Sequence, residues 1–129
     1  VDIDSNVVAT AAQGVYHDAR VSGISAARRS RWFDELGDGR VRVKRELQSL
    51  VRFHQLNLMS DWPFKGPFDA IFCRNVVIYF ERATQGRLFD RIIDKLATDG
   101  NLFIGHSESL FNVTDRVALV GRTVYRKVY

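Results

Sequence analysis

No part of this sequence is more informative than segment 68–80. Residues 70–73 form an apolar run without polar alternation, which predicts a strand buried on both faces, as in a parallel sheet. The polar pair Arg74-Asn75 follows this run, and apolar residues then resume. Ligands of open parallel sheets bind just beyond the carboxyl ends of the strands. Arg74 and Asn75 are therefore candidate binding residues; the alternative is that they cap the next helix and bond to nearby carbonyls.

Length and composition are those of one soluble domain. The chain has 129 residues, of which 46% are hydrophobic and 26% charged. No apolar run approaches the ~20 residues needed to cross a bilayer, so we expect no membrane insertion. The single cysteine, Cys73, excludes a disulfide framework and favours a reducing, cytoplasmic location. Because Cys73 falls in the predicted buried strand, we expect an inert thiol rather than a nucleophile.

The net charge of +4 is unevenly distributed, because residues 28–45 form a basic segment. Its basic residues are Arg28, Arg29, Arg31, Arg40, Arg42, Lys44 and Arg45, opposed by Asp34, Glu35 and Asp38. This basic segment suits an acidic partner, either a carboxylate-rich protein surface or nucleic acid. The alternative is a solvated helix face followed by an edge strand that carries charge to prevent pairing.

Helix and strand patterns alternate along the chain, which predicts an α/β fold with a mostly parallel sheet. In the first half we expect a strand end at 1–4, helices at 6–13 and 26–36, and one-sided strands at 40–44 and 50–58. Ser5 or Asn6 would cap the first helix, Gly14 would end it, and Ser25 would cap the second. In the second half we expect a helix at 83–97, a buried strand at 102–104, and a hairpin of 118–120 and 123–126.

Two runs are distinctive: Phe-Cys-Arg-Asn-Val-Val-Ile-Tyr-Phe at 72–80 and Gly-His-Ser-Glu-Ser at 105–109. They resemble segments of the chemotaxis receptor methyltransferases of the CheR type, which use S-adenosylmethionine. Shorter matches at 1–4, 14–16, 56–58, 99–104 and 123–125 extend the likeness, in order, over nearly the whole chain. The resemblance implies an incomplete Rossmann-like class I methyltransferase sheet with a C-terminal antiparallel hairpin. It also implies a single partial domain over 1–129, in which 14–56 contain an inserted receptor-docking subdomain with 40–53 as its antiparallel part.

The resemblance assigns five residues to the cofactor. Asp2 is similar to the acidic residue that accepts hydrogen bonds from the ribose hydroxyls, and a carboxylate at a strand end suits that role. Asn57 and Leu58 resemble the pair beside the adenine, one at its polar edge and one against its face. Arg74 and Asn75 resemble the residues that line the cofactor after the fourth strand.

The implied reaction moves a methyl group from a sulfonium to a glutamate side chain of a chemoreceptor. Glutamate is already ionised at pH 7, so no general base is needed. Placement of the reacting groups can supply roughly 7–11 kcal/mol of barrier reduction. Tyr79 resembles the tyrosine whose hydroxyl lies near the transferable methyl, and we interpret it as a catalytic aligner; the alternative is a core tyrosine with a satisfied hydroxyl.

Other chemistries find little support in the sequence. Adjacent residues cannot face one another as base and nucleophile, so His106-Ser107-Glu108 is not a hydrolase triad; the resemblance gives this segment a turn role near the active site. The histidines lack metal-ligand spacing, so no metal is expected. A nucleic-acid binder using the basic segment is one rival interpretation, although the only aromatics there, Trp32 and Phe33, fit a core face. A non-catalytic receptor-docking or cofactor-sensing module is the other.

The sequence also departs from the family pattern. The family's N-terminal helical domain, first strand and glycine-containing loop are not matched, because the likeness begins at the second strand. We therefore expect impaired cofactor binding by the isolated chain. We also expect unpaired sheet edges, which favour a homodimer or an exchange of elements between copies. The alternatives are that the remnant of the second strand shifts to close a smaller sheet, or that the chain is half of a larger molecule.

Overall fold

A computed structural model describes residues 1–128, so the last residue of the expected 1–129 domain lies outside the described part. The chain divides into two compact units, Val1–Ser60 and Asp61–Tyr129. Helices and two sheets are present in the described residues, which confirms the α/β class. Both sheets are more antiparallel than expected, because among the named strands of residues 1–128 only one pair is parallel.

The first unit is built around a three-stranded antiparallel sheet in the order β1-β3-β2. Its elements are α1 (Ser5–Gln13), β1 (Val15–His17), α2 (Asp18–Val21), α3 (Ala26–Trp32), β2 (Phe33–Gly37), β3 (Arg40–Val43) and α4 (Arg45–Gln48). Val41 is fully buried because the central strand, β3, has a neighbour on each side. The bounds predicted for the antiparallel part, 40–53, are wrong, because the antiparallel strands lie within residues 15–43 and α4 follows them.

Helix α1 confirms its predicted end and corrects its predicted cap. Gly14 follows the last turn at φ 66°, in the left-handed region that glycine adopts without cost, and its N–H donates to the Thr10 carbonyl. The cap is Asp4, not Ser5 or Asn6, because the Asp4 carboxylate accepts the backbone N–H of Asn6 at 2.8 Å. Asp is among the strongest N-cap residues, and the helix begins one residue earlier than expected.

The helix predicted at 26–36 is wrong in its second half. Ser25 caps α3 as expected, since its hydroxyl accepts the N–H of Arg28 at 3.3 Å, but the helix ends at Trp32. Residues 33–37 instead form β2, which pairs with β3 across a turn at Gly37-Asp38-Gly39. The hairpin gains a ladder of backbone hydrogen bonds and therefore outweighs the weak helical preference of this segment.

The strand predicted at 50–58 is also wrong. Only Gln55 pairs there, in an isolated parallel bridge with Asp2, and α4 occupies the segment just before it. The predicted strand end at 1–4 is thereby reduced to a single bridging residue. Alternating polarity was a poor guide in 50–58 because most of its residues are exposed.

The second unit contains a four-stranded sheet in the order β4-β5-β7-β6, with one long helix. Its elements are β4 (Phe68–Cys73), a 3₁₀ turn (Val77–Tyr79), α5 (Arg82–Asp94), β5 (Leu96–Ile104), β6 (Val117–Gly121) and β7 (Val124–Lys127). Strands β4 and β5 are parallel, whereas β5–β7 and β7–β6 are antiparallel. The predicted C-terminal hairpin is confirmed.

The core of the second unit includes one face of α5 and residues of its strands. Its helical members recur at i, i+4 spacing and are all buried: Leu88, Phe89, Ile92 and Ile93. Leu96 was predicted to continue this helix to residue 97, but α5 ends at Asp94 and Leu96 opens β5. It is nevertheless buried, so its burial was anticipated correctly although its secondary structure was not.

Strand β4 is in the predicted place, but it is not buried on both faces. Cys73 is buried, whereas Phe72 is 68% exposed and residues 68–70 are exposed. The reason is that β4 is the end strand of the described sheet and has only β5 as a neighbour. Phe72 stacks on Phe103 of β5, with ring centroids 4.3 Å apart, so one face of this pair is an open aromatic surface.

The helices of residues 1–128 include none with the length and apolar character required to span a lipid bilayer.

Candidate functional site

In the first unit, the isolated bridge brings Asp2 next to the segment that carries Asn57. The Asp2 N–H donates to the His54 carbonyl at 3.2 Å, and the Leu56 N–H donates to the Asp2 carbonyl at 2.8 Å. Asn57 and Leu58 follow directly in the chain. The structure therefore brings together the three residues that the sequence assigned to ribose and adenine, although not through a full strand.

The polar atoms of these residues keep part of their capacity for a ligand. Asp2 is exposed, and its Oδ1 accepts the backbone N–H of Asp4 at 2.9 Å, which leaves Oδ2 as an acceptor. Asn57 is exposed, and its Oδ1 accepts the N–H of Met59 at 2.9 Å, which leaves the amide nitrogen as a donor. Leu58 is half-buried beside it. A carboxylate for vicinal hydroxyls and an amide beside an apolar side chain fit a nucleoside.

In the second unit, parallel pairing places two chain segments at one edge of the sheet. Cys73 lies opposite Ile104, so residues 74–77 after β4 and residues 105–108 after β5 leave the sheet together. Arg74 and Asn75 are both exposed there, and Asn75 adopts φ 57°. The alternative that they cap the next helix is wrong, because the cap of the 3₁₀ turn is Val76 and it makes no side-chain capping bond.

Tyr79 lies at the end of the same loop. Its side chain is 81% exposed, so the alternative of a core tyrosine with a satisfied hydroxyl is wrong. The backbone beneath it is held by Gln85 of α5, whose Nε2 donates to the carbonyls of Val77 at 2.9 Å and Phe80 at 3.0 Å. Arg74, Asn75 and Tyr79 are thus brought onto one short loop whose backbone is fixed and whose polar side chains reach solvent.

Glu108 is a residue whose role the sequence analysis missed. Its side chain is 8% exposed, and its carboxylate accepts four backbone N–H groups. Oε1 accepts from Asn75 and from Gly105, each at 2.8 Å, while Oε2 accepts from Val76 at 3.2 Å and Val77 at 2.9 Å. An ionised carboxylate is an acceptor-only group, so it can satisfy successive N–H groups that a loop would otherwise leave unpaired.

Glycine is required at position 105 because the Asn75 side chain and the Glu108 carboxylate both lie against it. A Cβ built at Gly105 would lie 2.8 Å from Glu108 Oε1 and 3.0 Å from the Asn75 nitrogen, and it would collide with Asn75 Oδ1. The signal for this arrangement was present in the sequence as the run 105–109. From sequence alone this run indicates only a turn, because sequence spacing does not show which backbone N–H groups a buried carboxylate binds.

Cys73 behaves as expected of a buried thiol. Burial, and secondarily the negative charge of Glu108, raises the pKa of the Cys73 thiol to about 11. Because of this high pKa the thiol stays protonated near neutral pH and is a poor nucleophile. Cys73 forms no disulfide.

The basic segment of residues 28–45 is partly neutralised within the first unit. Arg29 pairs with Asp18 and with Glu35, and hydrogen bonding to Glu35 raises the pKa of Arg29. Arg31 forms a two-pronged pair with Glu46, at 3.1 and 2.9 Å, which raises the pKa of Arg31 and lowers that of Glu46. Lys44 contributes to lowering the pKa of Glu46, so its charge is partly compensated. Among the described ion pairs none involves Arg28, Arg42 or Arg45, so these three carry the uncompensated positive charge of the segment.

Two further features lie outside this arrangement. A surface cavity of about 300 Å³ is lined by Thr98, Asp99, Arg126, Lys127 and Val128, at the end of β5 opposite Gly105. Ligands of parallel sheets bind beyond the carboxyl ends of the strands, and this cavity lies at the opposite end.

Within the part of the chain that the structure describes, no three His, Cys, Asp or Glu side chains converge to hold a metal ion.

Comparison with known proteins yields one family and several relatives. Residues 1–126 match the family described as "CheR methyltransferase, SAM binding domain". The chain is 41% identical over 129 residues to a probable chemotaxis protein methyltransferase of Rhizobium etli, covering 97% of this chain and 48% of that protein. It is 44% identical over 128 residues to chemotaxis protein methyltransferase 2 of Pseudomonas aeruginosa, covering 96% and 46% respectively. For the chemotaxis protein methyltransferase of Escherichia coli the identity is 41% over 128 residues, with 96% and 45% covered. The chain thus spans about half the length of these relatives.

Proposed function

Because this chain belongs to the CheR methyltransferase family, as its S-adenosylmethionine-binding domain, we propose that the protein carrying it methylates glutamate side chains of chemoreceptors. The observation that carries the proposal is the family match over residues 1–126, and the relatives named chemotaxis protein methyltransferases support it. The β4-β5-β7-β6 order, one parallel pair followed by an antiparallel hairpin, supports an incomplete Rossmann-like sheet of the methyltransferase type.

The residues of the first unit fit the nucleoside part of S-adenosylmethionine. The free Oδ2 of Asp2 accepts from the ribose hydroxyls, and the Asn57 amide donates to the polar edge of the adenine. Leu58, half-buried, packs against the face of the base. Removal of water from that apolar contact strengthens both polar contacts.

The residues of the second unit fit the reacting part. S-adenosylmethionine, when bound, supplies a methyl group on a positively charged sulfur. Arg74 and Asn75 line the cofactor, and the exposed hydroxyl of Tyr79 aligns the methyl with the incoming carboxylate. The acceptor glutamate is ionised at neutral pH, so these residues orient groups and exclude water rather than transfer protons.

We further assign residues 14–56 to receptor docking. The antiparallel sheet of the first unit lies in this range, and so do the three uncompensated basic residues Arg28, Arg42 and Arg45. Their charge suits the acidic helices of a chemoreceptor, and such attraction mainly accelerates encounter. Docking of the receptor through this segment would not require any part of the chain to enter the membrane.

The decisive experiment is a methylation assay with the complete gene product, S-adenosylmethionine carrying a labelled methyl group, and membranes containing chemoreceptors of the same organism. We expect label in the receptor as base-labile methyl esters, which are characteristic of modified glutamate. Calorimetry with S-adenosylhomocysteine should show binding to one site. Binding without receptor labelling would identify a cofactor-sensing or docking module instead, and absence of both would overturn the proposal.

A further inference from the structure

Glu108 is a buried charged residue that neither the reaction nor the cofactor contacts proposed above employ. Within residues 1–128 it is the only charged residue in the buried class. Its carboxylate is not paired with a described cationic side chain, and its partners are the backbone N–H groups of Asn75, Val76, Val77 and Gly105. A buried charge is costly unless it is well paired, so four N–H donors in this geometry indicate a constraint on the loop.

That constraint acts on the loop carrying the candidate reacting residues. Asn75 is at φ 57°, a conformation that a residue with a Cβ adopts at some cost, and its N–H is one of the two that point at Oε1. Val76 and Val77, whose N–H groups point at Oε2, lead directly into the turn that carries Tyr79. The carboxylate therefore determines where the side chains on both sides of Val76 emerge.

We propose that Glu108 is a positioning residue for the cofactor site. By accepting three consecutive N–H groups of the loop after β4 and one from the turn after β5, it holds Asn75 and Tyr79 in the arrangement that binds S-adenosylmethionine. This inference rests on the proposed function. The inference goes beyond the proposed function because Glu108 touches no reacting atom and acts only through the backbone of the loop.

The variant Glu108→Gln, made in the complete gene product, tests this role with almost no change in size. Whichever way the new amide lies, one oxygen is replaced by an NH₂ group, so one pair of N–H groups loses its acceptor. Such a loss weakens the binding of S-adenosylhomocysteine by about tenfold or more in calorimetry, once corrected for the folded fraction. Glu108→Asp, which keeps the carboxylate but shortens it, should give an intermediate dissociation constant.

The matched control is Glu81→Gln. Glu81 precedes α5, is exposed and makes no capping hydrogen bond through its side chain, so the same chemical change should leave cofactor affinity unaltered. A role limited to stability would lower the melting temperature of Glu108→Gln while its folded molecules bound the cofactor normally. That result would overturn the inference, and so would equal affinities of wild type, Glu108→Gln and Glu81→Gln.

If neither Glu108 variant folds, a measurement on the wild-type complete gene product decides whether Glu108 positions the loop. With S-adenosylhomocysteine at a hundredfold excess over its dissociation constant, hydrogen exchange of the Asn75, Val76 and Val77 amides should slow by about tenfold or more, beyond any change in α5 amides such as Phe89. If exchange of these three amides is not selectively slowed, the inference is overturned and the proposed function is not. Failure of the wild-type protein to bind S-adenosylhomocysteine at all would instead overturn the proposed function, and the inference with it.

Discussion

The carboxylate of Glu108 accepts the backbone N–H of Asn75 at 2.8 Å, across 33 residues of sequence. The bond joins the loop after β4 to the turn after β5 at the edge where parallel strands present their carboxyl ends. The loop that carries Arg74, Asn75 and Tyr79 is therefore held by the neighbouring strand's continuation and not by its own residues alone.

Replacement of Tyr79 by Phe should separate alignment from folding. Because Tyr79 is 81% exposed, we expect a change in unfolding free energy of less than about 0.5 kcal/mol. If its hydroxyl aligns the methyl group, kcat for receptor methylation should fall by roughly tenfold to a hundredfold, with little change in cofactor affinity. Steady-state kinetics at saturating receptor provide the measurement. A kcat equal to that of the wild-type protein would remove Tyr79 from the reaction.

Two glycine-to-alanine changes should have opposite effects on stability. In Gly105→Ala the new methyl would lie 2.8 Å from Glu108 Oε1, so we expect a loss of roughly 1–3 kcal/mol. In Gly86→Ala, on α5, a Cβ meets nothing within 4 Å, and the higher helical preference of alanine should add roughly 0.5–1 kcal/mol. Denaturant unfolding of both variants gives these differences. A neutral Gly105→Ala would contradict the close packing of Glu108 against the turn.

The Cys73 thiol should react slowly in the native protein. With a pKa of about 11, the thiolate fraction at pH 8 is more than about a hundredfold below that of an unfolded chain. A colourimetric disulfide reagent should therefore label the native protein slowly and the denatured protein quickly. Because the pKa of the Cys73 thiol is higher in the folded protein than in the unfolded chain, the protonated thiol favours the folded state. This stabilisation is complete below the unfolded pKa of about 8.5 and is lost as the pH rises through 11. Rapid native labelling would show that Cys73 is accessible.

The uncompensated basic residues should control the rate of receptor encounter. The double variant Arg28→Gln, Arg45→Gln removes two charges that no described ion pair uses, so we expect the association rate with receptor to fall about threefold to tenfold at low salt. The difference should shrink as salt screens the attraction. Stopped-flow binding of the complete gene product to receptor fragments provides the rate.

The double variant Arg122→Gln, Arg126→Gln, in the β6–β7 hairpin of the other unit, removes the same number of charges and serves as the control for net charge. An equal effect of this control would show that net charge, not the basic segment, is responsible. A salt-sensitive gel shift with generic DNA, absent in the double variant, would instead favour the nucleic-acid interpretation.

Local signals in the sequence were sufficient where one residue type has a strong backbone preference. Gly14 ended α1, Ser25 capped α3, and the apolar spacing of Leu88 and Ile92 identified α5, because each reflects interactions within a few residues. The hairpin at the C-terminal end was predicted for the same reason. The parallel strand at 68–73 was recognised from its apolar run, although its exposure was not.

Signals that depend on distant partners were misread. Phe33 and Leu36 look helical in isolation, but β3 offers β2 a ladder that only the folded chain reveals. Residues 50–58 alternate in polarity without a partner strand beyond one bridge. Glu108 was the largest omission: its neighbours in sequence suggested a turn, whereas three of its four hydrogen-bonding partners lie 31 to 33 residues away. A carboxylate that binds backbone leaves no complementary side chain for sequence reasoning to find.

Glu108 contacts the loop only through peptide groups, which every residue type except proline provides in the same form. The anchoring is therefore indifferent to which side chains occupy 76 and 77, and it asks of position 75 only tolerance of a left-handed backbone. The Glu108 carboxylate thus maintains the backbone path of the loop, and the exposed side chains on that loop can be replaced without loss of these hydrogen bonds. Selection acting on the ligand-facing surface can thus explore new side chains without having to rebuild the scaffold beneath them.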